Sequence, residues 1–212
     1  MATRLGLWND ALVELGHRRL SDTGEAVEAG RELTFVHDKV VGEALSSGSW
    51  NFAMETIKAV SDTGVTPEFG YTEVFAKPSD WVRTFAVSQD ENFAVPLVDY
   101  YDDVNFWSAD SSPIYVRYVS NDTGLGLELN RWPAAFTRFV ALELAARVCM
   151  KLTQSESLLD RIEERRDKAR KVAKNQDAMN EAQPKFPPAG SWTTARGGRG
   201  SRDRGSRGSL TG

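Results

Sequence analysis

The sequence predicts an α+β fold: a four-helix bundle body with an antiparallel β-sheet inserted between its second and third helices, and an extended C-terminal tail. Three observations predict it. Apolar residues recur at helical spacing in two segments near the start of the chain and two near residues 133–181, while the stretch between them favours β structure, and Gly, Pro and Arg crowd together after Pro184. The body is accordingly placed at residues 1–182 and the tail at 183–212, with helices at about 3–16, 24–47, 133–152 and 156–181 and the β insertion at about 50–120.

The first helix rests on Leu5, Trp8, Leu12 and Leu15, a single apolar stripe that Gly16 can terminate. In the second, Val27, Leu33, Val36, Val40, Ala44 and Leu45 repeat at helical intervals before Ser-Gly-Ser closes the run. From Trp50 the pattern changes. Phe52 and Met54 alternate with Ala53 and Glu55, Phe69, Tyr71 and Phe75 share a face, and "SPIYVRYVS" is β-branched and aromatic. The turn signals "SDTGVTP" and "SADSSP" lie close together, as antiparallel hairpins require. Within this region "KPSDWVRTFAV" reads as a short helix capped by Ser79, with Asp80 in its first turn.

Pro133 suits a first helical position, and Phe136, Val140, Leu144 and Val148 follow at four-residue spacing, widened by Phe139 and Leu152. After the polar link "TQSES", a long and increasingly polar helix carries Leu158, Ile162, Arg165, Ala169, Val172, Gln176 and Met179 as its inward line. So short a link predicts an antiparallel pair. Four stripes with few other partners are most economically buried against one another.

The net charge of −4 hides a division. Residues 191–212 hold five Arg and one Asp, which leaves the preceding residues at −8, with no basic face evident among them. The single cysteine, Cys149, lies in a helical apolar pattern and has no intrachain partner, the N-terminus lacks the apolar run of a secretory signal, and no stretch has the length of a membrane span. Cytoplasmic synthesis is the expectation, and with it no use of the acceptor pattern at Asn121.

Chemistry-bearing clusters are sparse. His17 and His37 have no cysteine or histidine at zinc spacing, and "TGLGLEL" lacks the third glycine and the strand-turn-helix context of a dinucleotide site, so it reads as a turn. Asp99, Asp102 and Asp103 offer carboxylates to a hard cation but fit a charged hairpin edge better. Trp50, Trp81, Trp107 and Trp132 admit a ligand cage, although aromatic residues in such a layer are usually core. The expectation is a non-enzyme without metal or cofactor.

The segments "LWNDALVELGHRRL", "SGSWNFAM", "KPSDWVRTFAV", "IYVRYVSNDTG" and "WPAAFTRFVALELAARVCMKLTQSESL" together, in this order, resemble the head-tail adaptor proteins of tailed bacteriophages, the group called tail tubular protein A in short-tailed phages. The resemblance runs over about residues 3–182 and more weakly into "GSWTTAR". It implies a structural virion protein: a ring of about twelve copies beneath the portal vertex, closed by heterologous contacts, joining the portal to a tail tube, nozzle or further connector. It also implies assembly in the host cytoplasm, residence in the neck of the virion, and passage of double-stranded DNA through the lumen during ejection. An acidic body repeated around the ring would give a wall that holds phosphate weakly.

The tail admits three readings. An Arg/Gly segment can neutralise nucleic-acid phosphates, which makes a nucleic-acid-binding accessory protein the alternative function, although stacking aromatics are missing from the repeats. It can be an unstructured solubilising segment. The preferred reading is a strap that docks on the portal or a neighbouring subunit, with Phe186 and Trp192 as apolar anchors and Arg196, Arg199, Arg202, Arg204 and Arg207 seeking carboxylates. Its 29 residues from Pro184 reach on the order of 95 Å when extended.

Overall fold

In the computed structural model, which describes residues 2–62, 64, 65, 67 and 70–180, helix formation begins at Thr3. The Thr3 hydroxyl accepts from the Gly6 amide at 3.0 Å, satisfying one of the unpaired donors at the start of α1 (Arg4–Glu14). Gly16 follows in the left-handed region, at φ +69°. The next helix starts later than its apolar spacing suggests. Asp22 accepts from the Gly24 amide at 2.8 Å and Glu25 from the Ser21 amide at 2.8 Å, so the polar link holds its own turn and α2 spans Glu28–Ser46.

A 3₁₀ turn at Asn51–Ala53 leads into β1 (Met54–Ala59). Then come β2 (Glu73–Ala76), β3 (Trp81–Ser88), β4 (Tyr101–Asp102), β5 (Phe106–Ala109) and β6 (Ile114–Ser120). They form two three-stranded antiparallel sheets, ordered β1-β6-β3 and β2-β5-β4, in place of the single sheet expected. The fold class is α+β.

The helix expected in "KPSDWVRTFAV" is a strand. Trp81–Ser88 pairs with β6 from Trp81 opposite Ser120 to Ser88 opposite Tyr115. The β-branched and aromatic content of the segment, with a central strand waiting beside it, outweighs the Ser79-Asp80 capping signal. Asp80 serves the sheet: its carboxylate accepts from the hydroxyls of Tyr118 and Ser120.

Pro133 immediately precedes α3 (Ala134–Thr153), which ends at Gln154 in the left-handed region, φ +51°. Ser155 then caps α4 (Glu156–Met179), its hydroxyl facing the Leu158 amide at 3.4 Å. Helix α3 packs against α1, α2 and α4 in turn. Its buried residues Phe136, Phe139, Ala141, Leu142, Leu144 and Val148 therefore go round more of the helix than one stripe would.

The helices share one hydrophobic core with Trp50, Ala53 and Val119. A second, smaller core lies between the sheets and contains Ala59, Phe75, Val87, Trp107, Ile114 and Val116. Strand β6 serves both, because its side chains alternate: Ile114 and Val116 enter the small core while Val119 enters the helical one. Thr84 ties the sheets across that core, its hydroxyl accepting from the indole N–H of Trp107 at 2.9 Å and of Trp81 at 3.1 Å.

The inward line expected on α4 holds at Leu158, Ile162 and Ala169, which are buried in or pack against the helical core, and is displaced only toward the end of the helix. Ile162, Ala173 and Asp177 are buried, whereas Val172 is half exposed and Met179 lies at the surface. The Asp177 carboxylate accepts from the Asn51 amide at 3.0 Å and the Asn51 side chain donates back to the Asp177 carbonyl at 2.8 Å, which anchors the end of α4 beside the start of β1. A polar anchor replaces the apolar one that periodicity would choose.

Candidate interaction surfaces

The residues expected to dock on a partner, Phe186, Trp192, Arg196, Arg199, Arg202, Arg204 and Arg207, lie outside the described residues, as does Phe69. The remaining sites singled out in the sequence can be placed.

The four tryptophans do not converge. Trp50 and Trp132 belong to the helical core, each with its ring beside Phe136, at centroid separations of 4.7 and 4.9 Å. Their indole N–H groups donate to the carbonyls of Ala44 and Gly126, both at 2.9 Å. Trp81 and Trp107 belong to the core between the sheets. That pair does flank a cation, but one from the chain itself: the Lys77 ammonium lies 3.5 Å from the centroid of the Trp81 ring and 5.5 Å from that of Trp107. Its side chain is 4% exposed, paired with Asp102 and donating to the Asp103 carbonyl.

The acidic run is partly spoken for by these contacts. Asp102 is held by Lys77, and Asp99 accepts from the Tyr71 hydroxyl at 2.8 Å, a bond that raises the affinity of Tyr71 for its proton. Among the described residues no three His, Cys, Asp or Glu side chains gather in a way that could hold a metal ion. The "TGLGLEL" segment is a turn, and Gly126 has a packing reason to be there: a Cβ would stand 1.9 Å from the Ser120 carbonyl oxygen.

His17 is exposed and His37 is buried. His37 Nδ1 accepts from the Trp8 indole at 3.1 Å, which links α1 to α2. Burial is the main cause, and the nearby Arg4 charge the second, that pushes its pKa down to about 4, so the ring is neutral at pH 7. Tyr118, whose hydroxyl lies 3.1 Å from Glu55 and 3.2 Å from Asp80, is held strongly in its protonated form by burial and by those two carboxylates.

Two kinds of surface escaped the sequence reading. The first is basic. Arg170, Lys171 and Lys174 follow one another on α4 without a carboxylate partner among the described residues, and Arg83 of β3 adds its charge nearby. Partial burial, then Arg170 and Arg83, lower the pKa of Lys174. Sequence charge counts average over such local groups, and folding brings Arg83 to a helix almost ninety positions away.

The second is apolar. Phe35, on the outer side of α2, is 86% exposed; Val98 and Val104, in the acidic loop region before β5, are 84% and 77% exposed. Between α3 and α4 runs a groove of about 380 Å³, lined by Ala135, Ala169 and Val172 with Arg138, Arg165 and Lys168 around them. Among the described residues no helix is long and apolar enough to cross a membrane. No protein-family profile and no curated protein sequence matches the chain.

Proposed function

We propose that the chain is a structural subunit of a phage neck: copies close into a ring that joins the portal vertex to the tail and leaves a lumen for DNA, with the C-terminal tail docking on the portal or a neighbouring copy. The observation that carries the reading is the separation of unlike surfaces onto different elements. A helical end presents an isolated aromatic residue on α2 and a cation-rimmed groove on α3 and α4, while the sheet end presents exposed valines beside carboxylates. A subunit that meets different neighbours on different sides needs such a division. The ordered set of segments from Leu5 to Met179 that resembles head-tail adaptors supports the same reading, with the four helices acting as a bundle body and the strands between α2 and α3 as an inserted module.

The test is to mix the full chain with portal assemblies and measure mass by light scattering and shape by electron microscopy. A ring of discrete copy number on one end of the portal is expected. Failure to associate with portal assemblies at any protein concentration would remove the proposal.

A second reading is favoured by Arg83, Arg170, Lys171 and Lys174 together with the five tail arginines: an accessory protein that binds nucleic acid. Its signature would be duplex binding by the free chain that weakens steeply with salt. In the ring reading the same cations must lie away from the lumen, where they would retard DNA.

A further inference from the structure

We infer that Lys77 is a clasp: its ammonium holds the segment 98–104 closed beside the core between the two sheets, and when that charge is removed the segment opens as a unit while both sheets stay folded. The inference concerns this chain alone and does not depend on the ring reading. Lys77 directly follows β2, and its backbone N–H donates to the Asn105 carbonyl at 2.9 Å, which fixes the residue at the end of the β2-β5 pair. Its ammonium then meets both sheets, 3.5 Å from the ring centroid of Trp81 on β3 and 5.5 Å from that of Trp107 on β5. Its hydrogen bonds go to the segment, to the Asp102 carboxylate and the Asp103 carbonyl. A lysine side chain only 4% exposed has given up most of its hydration. Two indole faces and two oxygens of the segment take the place of that water.

Little else holds the segment. Of residues 98–104 only Tyr100 is not exposed, and it packs at the edge of the core between the sheets. Strand β4 contributes two paired residues, Tyr101 opposite Ser108 and Asp102 opposite Trp107. The other ties are the Asp103 amide to the Phe106 carbonyl at 3.0 Å and the exposed bond from the Tyr71 hydroxyl to Asp99 at 2.8 Å. The ends are fixed: Leu97 donates its amide to the Val87 carbonyl at 2.9 Å, and Asn105 is held by the Lys77 backbone. Charge favours opening once Lys77 is neutral. Asp99, Asp102 and Asp103 lie within five residues, and the chain has no Lys or Arg between Arg83 and Arg117. A short exposed segment with like charges, two anchored ends and one buried polar fastening separates locally before the whole does. Opening carries Val98 and Val104 away on a hinged arm, while Thr84, which accepts from both indoles, keeps the sheets joined beneath it.

The experiment compares the full chain with Lys77→Met and Asp102→Asn, by deuterium exchange and by chymotrypsin cleavage after Tyr100 and Tyr101. Methionine keeps an unbranched apolar stem between the indoles, so a role in packing alone survives the change and a clasp does not. Each variant is expected to speed exchange at residues 101–103, and cleavage after the two tyrosines, at least about tenfold, with exchange in β6 and α3 unchanged. Combining the two is expected to add little, because both break the same fastening. Unchanged protection of the segment in Lys77→Met would overturn the inference. Equal acceleration across β3, β5 and β6 would overturn it too, since Lys77 would then be one more part of the core. If Lys77→Met does not fold, Asp102→Asn decides in the same way, at a side chain already 34% exposed.

Discussion

At the scale of single residues, the most informative side chains are polar ones that pattern reading passes over. His37 interrupts the apolar series of α2, yet it is buried because it gives the Trp8 indole an acceptor that no aliphatic side chain could supply. The consequence is a pH dependence of definite sign. Its pKa is about 4 in the fold against about 6.5 in the unfolded chain, so the folded state binds fewer protons between those values. The contribution of His37 is complete above about pH 6.5, declines as pH falls toward 4 and stops changing below that, a loss on the order of 1–3 kcal/mol. Urea unfolding at pH 7.5 and 4.5 measures it. His37→Gln, which keeps an acceptor for Trp8 but does not titrate, is expected to lose less stability over that interval than the parent chain; parallel losses would assign the effect to other groups.

At the scale of elements, what the sequence disclosed depended on how local each element's cause was. The helices were legible because Trp8, Leu12, Leu33, Val40, Phe136 and Val148 repeat at the helical period and do reach the core. Strand β3 was not, since the Ser79-Asp80 signal is local while the pairing with β6 that overrides it comes from about thirty residues further along. The α4 line held at Ile162 but failed near the end of the helix for a similar reason: Asp177 is buried through its bonds to Asn51, a partner invisible to periodicity. The glycine turn before α3 offers a direct test of element packing. Gly126→Ala forces a methyl to 1.9 Å from the Ser120 carbonyl, so the turn must shift and the bond from the Trp132 indole to the Gly126 carbonyl must loosen. The expected cost is roughly 1–3 kcal/mol in denaturant unfolding, with a changed Trp environment in near-UV circular dichroism; an unchanged midpoint would show that the turn accommodates the methyl freely.

At the scale of the whole molecule, the candidate contact surfaces were the least legible. Phe35, Val98 and Val104 are ordinary apolar letters in the sequence, and only the packing reveals that they are not used inside their own subunit. The basic group of Arg83, Arg170 and Lys174 is likewise assembled by folding. The tail, by contrast, is conspicuous in sequence through Phe186, Trp192 and the five arginines. Truncation after Gly190 separates its readings at this scale. The strap reading expects loss of portal or neighbour binding with duplex binding by the free protein unchanged. Loss of salt-sensitive duplex binding, with portal association intact, would decide for the nucleic-acid reading.

The position of α3 also sets an order of events during synthesis. Helices α1 and α2 touch each other through side chains such as Trp8 and His37, but the broad faces they bury lie against α3, which follows all six strands in the chain. A nascent polypeptide therefore carries two amphipathic helices with exposed apolar faces through the translation of some ninety further residues. Until Thr153 has left the ribosome the main core has no centre, and the sheets, which share Val119 with that core, lack part of their backing. The core of the molecule is thus completed only by one of its last elements.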